Sequence, residues 1–265
     1  MEEYFLNDIN VKDIQQKMLE ILIEVDRVCK KNDIKYVLDS GTLLGAVRHN
    51  GFIPWDDDID IAMLREDYEK FRKVANRDLA PQYRFLSDVE SFEFPNIFGK
   101  VFDTATTYVQ GNISHLDIPH SIWLDIFPCD NIYIETKTKQ CRIVASINMV
   151  RCLKQKTEKF EPRHIFYFPL LILPMKTLNR IAEKTMQKHS GEITDLVCPI
   201  CQSGIAKPTF KRSMFTDTIE KEFEGLMFPI PREYMEYLKG YYKEPMELPP
   251  IESRHPGHGI KEIKL

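Results

Sequence analysis

Asp56-Asp57-Asp58-Ile59-Asp60-Ile61-Ala62-Met63 is the stretch from which the rest of the chain is read. Four aspartates fall within five positions, and the run ends by alternating acidic and apolar residues. Alternation with period two marks a half-buried β-strand, because successive side chains leave opposite faces. On that reading Asp58 and Asp60 share a face, with Cα atoms about 6.6–6.8 Å apart. Ile59, Ile61 and Met63 then point the other way, into a core. Two carboxylates on one partly buried face repel each other unless a cation lies between them. A hard divalent ion, Mg²⁺ or Mn²⁺, answers that need with oxygen ligands and keeps positions open for phosphates. The plainer alternative is a solvated acidic turn. An EF-hand is excluded, because Ile61 stands where the loop glycine belongs and Asp67, not Glu, is twelfth from Asp56.

Upstream, Lys35-Tyr36-Val37-Leu38 reads as a short strand, and Asp39-Ser40-Gly41-Thr42 as a turn opening a helix over 43–48. Glycine lets the backbone approach a ligand closely, and the free N–H groups of a helix start attract phosphate. Ser40, Gly41 and Thr42 are therefore candidate phosphate contacts, with Arg48 about two turns along offering its planar fork. The alternative is an ordinary N-cap followed by a surface arginine. Lys100, in Phe98-Gly99-Lys100-Val101, is a further candidate to balance nucleotide phosphates.

The chain of 265 residues is 43% hydrophobic and 29% charged, so it is globular rather than disordered. A net charge of −4 gives no general nucleic-acid binder. No secretory signal opens the chain, and six scattered cysteines suit a reducing cytoplasm. The spacing of apolar residues predicts a helix over 11–31, strands near 83–86, 97–102, 106–109 and 122–127, and helices over 66–74, 137–159, 170–189 and 231–242. The fold expected is α/β (α+β), with a catalytic core over 1–135 and a mostly helical region over 136–265 packed on it.

The strings Gly41-Thr42-Leu43-Leu44-Gly45-Ala46-Val47-Arg48 and Ile53-Pro54-Trp55-Asp56-Asp57-Asp58-Ile59-Asp60 closely resemble the signature of the LicD family. Trp123-Leu124-Asp125-Ile126-Phe127-Pro128-Cys129-Asp130 resembles that family's Asp-Ile-Phe-Pro segment. The resemblance is dense over 36–64 and 120–130 and thin elsewhere. It implies a nucleotidyltransferase fold and transfer of a phospho-alcohol, phosphocholine first, from a CDP-linked donor to a glycan or lipid-linked glycan, releasing CMP. Carried onto this sequence, Asp58, Asp60 and Asp125 would hold the metal and be catalytic, with Asp125 either a ligand or the general base. Gly41 and Thr42 would touch donor phosphates.

Weaker signals remain. Trp55 and Trp123 flank the acidic segments and have faces suited to a choline ammonium, although core packing is the commoner use. Cys198-Pro199-Ile200-Cys201 has half the spacing of a zinc site, with free thiols as the alternative. His255 and His258 lie in the C-terminal tail, where exposed histidines are the ordinary case. The apolar run within 165–178 is too short for a membrane span, which takes roughly 17–25 residues. It reads as a buried hairpin or as a peripheral contact with the inner face of a membrane. A glycosyltransferase using Asp-x-Asp, a nucleotidyltransferase releasing pyrophosphate and a non-catalytic cation- or glycan-binding module are the competing readings.

Overall fold

The computed structural model describes residues 3–202, 204 and 206–265, apart from the side chain of Arg163. A short hairpin of β1 (Phe5–Leu6) and β2 (Ile9–Asn10) leads into helix α1 (Val11–Lys31). The Asn10 side chain accepts the Lys12 N–H at 3.0 Å and caps the helix, while Lys30 and Lys31 sit in its last turn. Val11, Ile14, Met18, Ile21, Leu22, Val25 and Val28 are its buried stripe, packed on the central sheet.

That sheet carries the site. Its N-terminal elements are β3 (Val37–Leu38), α2 (Ser40–His49), β4 (Asp60–Leu64), α3 (Arg65–Asp78), β5 (Tyr83–Leu86), β6 (Gly99–Asp103), β7 (Thr107–Gln110) and β8 (Ile122–Asn131). β4 and β8 run parallel at the centre, with Asp60 opposite Asp125. β3 is antiparallel on the other side of β4, and β6 is antiparallel to β8, placing Lys100 opposite Asp125. Every residue of β4, β6 and β8 is buried, as expected of strands covered on both faces. Arg65 donates to both Asp130 oxygens at 2.7 and 2.9 Å and ties the start of α3 to the end of β8.

The remaining elements are α4 (Ile134–Gln155), a 3₁₀ turn (Pro162–Tyr167), α5 (Phe168–Leu171), α6 (Met175–Met186), β9 (Leu196–Cys198), β10 (Phe210–Lys211), β11 (Thr218–Phe223), β12 (Leu226–Pro231), α7 (Tyr234–Lys239) and β13 (Ile260–Lys264). The mixed α/β architecture agrees with the class expected from sequence, and two features differ. The helix expected over 170–189 is interrupted before Pro174, whose ring cannot continue a helix interior. Strands appear beyond residue 190 where helix dominated the reading. β11 and β12 form a hairpin about Glu224 and Gly225, both at positive φ (51° and 76°). β9 and β10 extend the central sheet from the end of β8, and β13 pairs with β7, so the tail returns to the core.

A second, smaller core of Ile147, Val150, Leu178 and Ala182 joins α4 to α6. All six cysteines are free. Cys198 and Cys201 are buried, and Cys201 donates its thiol toward Pro128 O at 3.7 Å. No helix among the described residues is long and apolar enough to cross a membrane.

Candidate active site

The strand bearing the acidic run is shorter than its alternation suggests. It begins at Asp60, and Asp56 to Ile59 form an irregular loop. The loop is bent by specific partners: Asp56 N–H donates to Ile53 O at 2.9 Å, and Gln15 Nε2 donates to Ile53 O and Asp56 O. The strand argument for a shared face of Asp58 and Asp60 therefore does not hold. Both nevertheless line one cavity of about 610 Å³, together with Ser40, Gly41, Arg48 and Asp56.

Each carboxylate has its own support. Asp60 N–H donates to Thr42 Oγ1 at 2.8 Å, and Asp39 N–H donates to Asp60 O at 3.0 Å, which lock the strand against the start of α2. Burial, then the charges of Asp58 and Asp125, push the Asp60 carboxyl well above its ordinary range. Asp125 lies beside it in register, also raised by burial, with Lys100 Nζ 2.7 Å from Oδ1 opposing that shift. Asp58 is the most open of the three, its side chain 24% exposed. Asp56 is raised well above its usual value by burial and then by Asp58.

Among the described residues, no three His, Cys, Asp or Glu side chains are already gathered as a metal cage. The chemistry of the donors still fits a hard divalent ion, since all three are carboxylates. Burial raises Asp60 and Asp125, the Asp58 charge adds to both shifts, and a bound cation would relieve that repulsion.

The proposed phosphate contacts are placed unevenly. Ser40, at φ 46°, is the first residue of α2, and Gly41 follows against Asp56. A Cβ at Gly41 would lie 2.7 Å from Asp56 Oδ2, so a larger residue there would push the Asp56 carboxylate aside. The Thr42 hydroxyl is engaged by the Asp60 amide rather than left open to the cavity. Arg48 Nη1 donates to Pro245 O (3.1 Å) and Glu247 O (2.9 Å), holding the 245–250 segment along the cavity wall. Lys100 Nζ lies 4.3 Å from the Trp123 ring centroid, and the Arg254 guanidinium lies 5.4 Å from that of Trp55. Each tryptophan thus already has a protein cation over its ring.

Sequence reasoning gave little weight to three other residues. Asp57 is fully buried and accepts from Gly257 N (2.9 Å), His258 N (3.3 Å) and Tyr108 OH (3.3 Å), with His258 Nδ1 at 3.0 Å. Burial pushes the Asp57 carboxyl up, but His258 and these amides outweigh it and hold the group below its ordinary value. His258 Nε2 then lies 3.5 Å from Asp58 Oδ2. Burial lowers the imidazole, yet Asp57 and Asp58 prevail and leave it raised. Asp39, fully buried, accepts from Tyr237 OH (2.8 Å) and Tyr241 OH (3.1 Å), bracing α2 against α7. Asp57 was visible as part of the acidic run. No local signal marks His258, which lies 201 positions away.

The family model described as LicD/FKTN/FKRP, nucleotidyltransferase domain, matches residues 33–179, more than half of the chain. The lipopolysaccharide cholinephosphotransferase LicD of Haemophilus influenzae is 29% identical over 269 aligned positions, covering 96% of this chain and 97% of that protein. Human ribitol 5-phosphate transferase FKRP is 50% identical over 34 residues, 13% of this chain and 7% of its own length. An uncharacterized protein of Rickettsia prowazekii, RP689, is 40% identical over 76 residues, 29% of this chain and 27% of its own. The matched span encloses α2, the acidic loop and the paired strands that carry Asp60 and Asp125, and on that ground the chain belongs to the LicD/FKTN/FKRP family.

Proposed function

We propose that this protein is a phosphotransferase that moves a phospho-alcohol from a CDP-linked donor to a hydroxyl of a cell-surface glycan, releasing CMP. Phosphocholine is the first candidate for the group moved, because the relative that spans nearly the whole chain is a lipopolysaccharide cholinephosphotransferase. The observation carrying the reading is the pairing of Asp60 with Asp125 on adjacent parallel strands, beside Asp58 and the first turn of α2.

In this scheme the acceptor oxygen attacks the phosphorus that bears the alcohol. The bond from that phosphorus to CMP breaks, and CMP leaves with the electron pair. Such a reaction asks for positioning and for neutralisation of negative charge rather than for covalent chemistry. Asp58, Asp60 and Asp125 would hold Mg²⁺ or Mn²⁺, which, when bound, offsets the charge of the donor pyrophosphate. Ser40 and Gly41, in the first turn of α2, line the same cavity, where the positive end of the helix favours a phosphate. Lys100 adds positive charge from β6, and His258 brings an imidazole from the C-terminal tail that the neighbouring carboxylates favour in its charged form. Asp125, held by Lys100, shares the cation or receives the proton of the acceptor hydroxyl. Arg48 acts on the cavity wall through its bonds to the 245–247 carbonyls.

The test is phosphorus NMR of the protein with Mg²⁺, an acceptor glycan and a panel of CDP-linked donors. CMP together with a new phosphodiester is the expected product pair. A nucleoside diphosphate from a nucleotide sugar, or pyrophosphate from a nucleoside triphosphate, would replace this reading with one of its competitors.

A further inference from the structure

Residues 162–175 fold into a 3₁₀ turn, the short helix α5 and the start of α6, with their apolar side chains divided between two faces. Tyr167, Leu170, Leu171, Leu173 and Met175 pack against the small core between α4 and α6. Lys154 Nζ secures the segment by donating to Leu171 O at 2.9 Å. The other face is turned outward: Ile165 is 60% exposed, Phe168 55%, and Phe166 and Ile172 84% each. Phe160, just before the turn, is 56% exposed. Isolated exposed apolar residues are common, but five large ones within thirteen positions form a patch that calls for an occupant.

The charge around the patch indicates which occupant. The chain as a whole carries 40 acidic against 36 basic residues. No acidic residue occurs from 162 to 182, a stretch that contains Arg163, Lys176 and Arg180. Lys156 and Lys159 precede it, interleaved with Glu158 and Glu161, and all four are exposed, as are Lys176 and Arg180, so the basic side chains outnumber the acidic ones around the patch. Lys176 Nζ also lies 5.5 Å from the ring centroid of Phe92, itself 45% exposed, so the apolar surface reaches the β5–β6 connection, where the exposed Glu90 and Glu93 end the cationic rim. An apolar plateau rimmed by cations on an acidic protein matches a bilayer interface with anionic headgroups, where the rings enter the acyl boundary and lysines meet phosphates.

We infer that the 160–176 surface is a peripheral membrane-docking site for anionic lipid. It depends on none of the transfer chemistry proposed above, so either reading can fail alone.

The test is co-sedimentation of the full chain with phosphatidylglycerol-rich vesicles and with pure phosphatidylcholine vesicles at low salt. Anionic vesicles are expected to pull down the protein, and added salt to weaken binding. The double variant Phe166→Glu, Ile172→Glu is expected to lower the partition coefficient at least about tenfold per residue while keeping the wild-type circular dichroism spectrum. Lys156→Gln with Lys159→Gln, on the cationic rim, is expected to weaken binding to anionic vesicles and leave binding to phosphatidylcholine unchanged. Absence of binding to anionic vesicles at low salt, or equal binding by the wild type and the Glu variant, overturns the inference. So does a concentration-dependent dimer in light scattering that the Glu variant abolishes, because the patch would then be covered by a second copy.

Discussion

The Asp57 carboxylate and the His258 imidazole, 201 positions apart, meet at 3.0 Å and fasten the C-terminal tail over the acidic loop. Two tail amides, those of Gly257 and His258, point at the same carboxylate. This contact adds a tail anchor to the 56–59 loop and brings the His258 ring to 3.5 Å from Asp58 Oδ2. Asp57→Asn keeps the volume but removes the charge, and should cost on the order of 2 kcal/mol, since a buried acceptor of several donors is lost. Urea denaturation measures that cost. Hydrogen exchange over 257–264 should rise in parallel, and unchanged exchange there would show that the tail is held by other means.

Asp60 is expected to behave in the opposite sense. Its carboxyl is disfavoured by burial and by Asp58 and Asp125, so Asp60→Asn removes a repulsive charge from the fold. The melting temperature should hold or rise, whereas transfer should fall at least ~100-fold through loss of charge stabilisation at the phosphates. Near wild-type turnover by this variant would remove Asp60 from the site.

Much of this arrangement was legible in the sequence, and the failures have physical causes. Helix α1 was plain because its apolar stripe is set by one periodic face. The Ile59–Met63 alternation located β4 but placed its start too early, since the bonds of Gln15 and of the Gly257 amide to the 56–59 loop are tertiary and leave no local pattern. The Thr42 hydroxyl looked free for phosphate, yet the strand it supports follows eighteen positions later. His258 resembled any tail histidine until the sheet brought Asp57 to it. The β11–β12 hairpin turns on Glu224-Gly225, which lacks the Asn-Gly or Asp-Gly pair that announces such turns.

Gly45 is packed more tightly than its place inside α2 suggests. A Cβ there would lie 2.4 Å from Gly51 O and 3.2 Å from Ile53 N, both backbone atoms of the segment entering the acidic loop. Gly45→Ala should therefore destabilise by about 1–3 kcal/mol despite alanine's better helix propensity. Thermal unfolding decides it, and a stabilised variant would mean that the loop shifts freely.

The fully buried side of the β5–β6 connection supplies a pH prediction. Burial raises the Asp88 carboxyl to about 6 against the pull of Arg151, and Asp88 Oδ2 lacks a hydrogen-bond partner. A carboxyl with a raised folded value contributes stability below the unfolded value near 3.8, and that contribution is lost as pH rises through about 6. Asp88→Asn should consequently stabilise the protein at pH 7 by on the order of 2 kcal/mol and do little at pH 4. Melting temperatures of both proteins across that range give the answer, with a constant difference counting against the assignment.

Isothermal titration of Mn²⁺ into the protein with a CDP-linked donor present tests the carboxylate site most directly. Saturable binding by the wild type, lost in the Asp58→Asn, Asp60→Asn, Asp125→Asn triple variant that retains its fold, is the result expected. A wild type that takes up no metal with nucleotide at hand, or a triple variant that binds it equally well, would contradict the account.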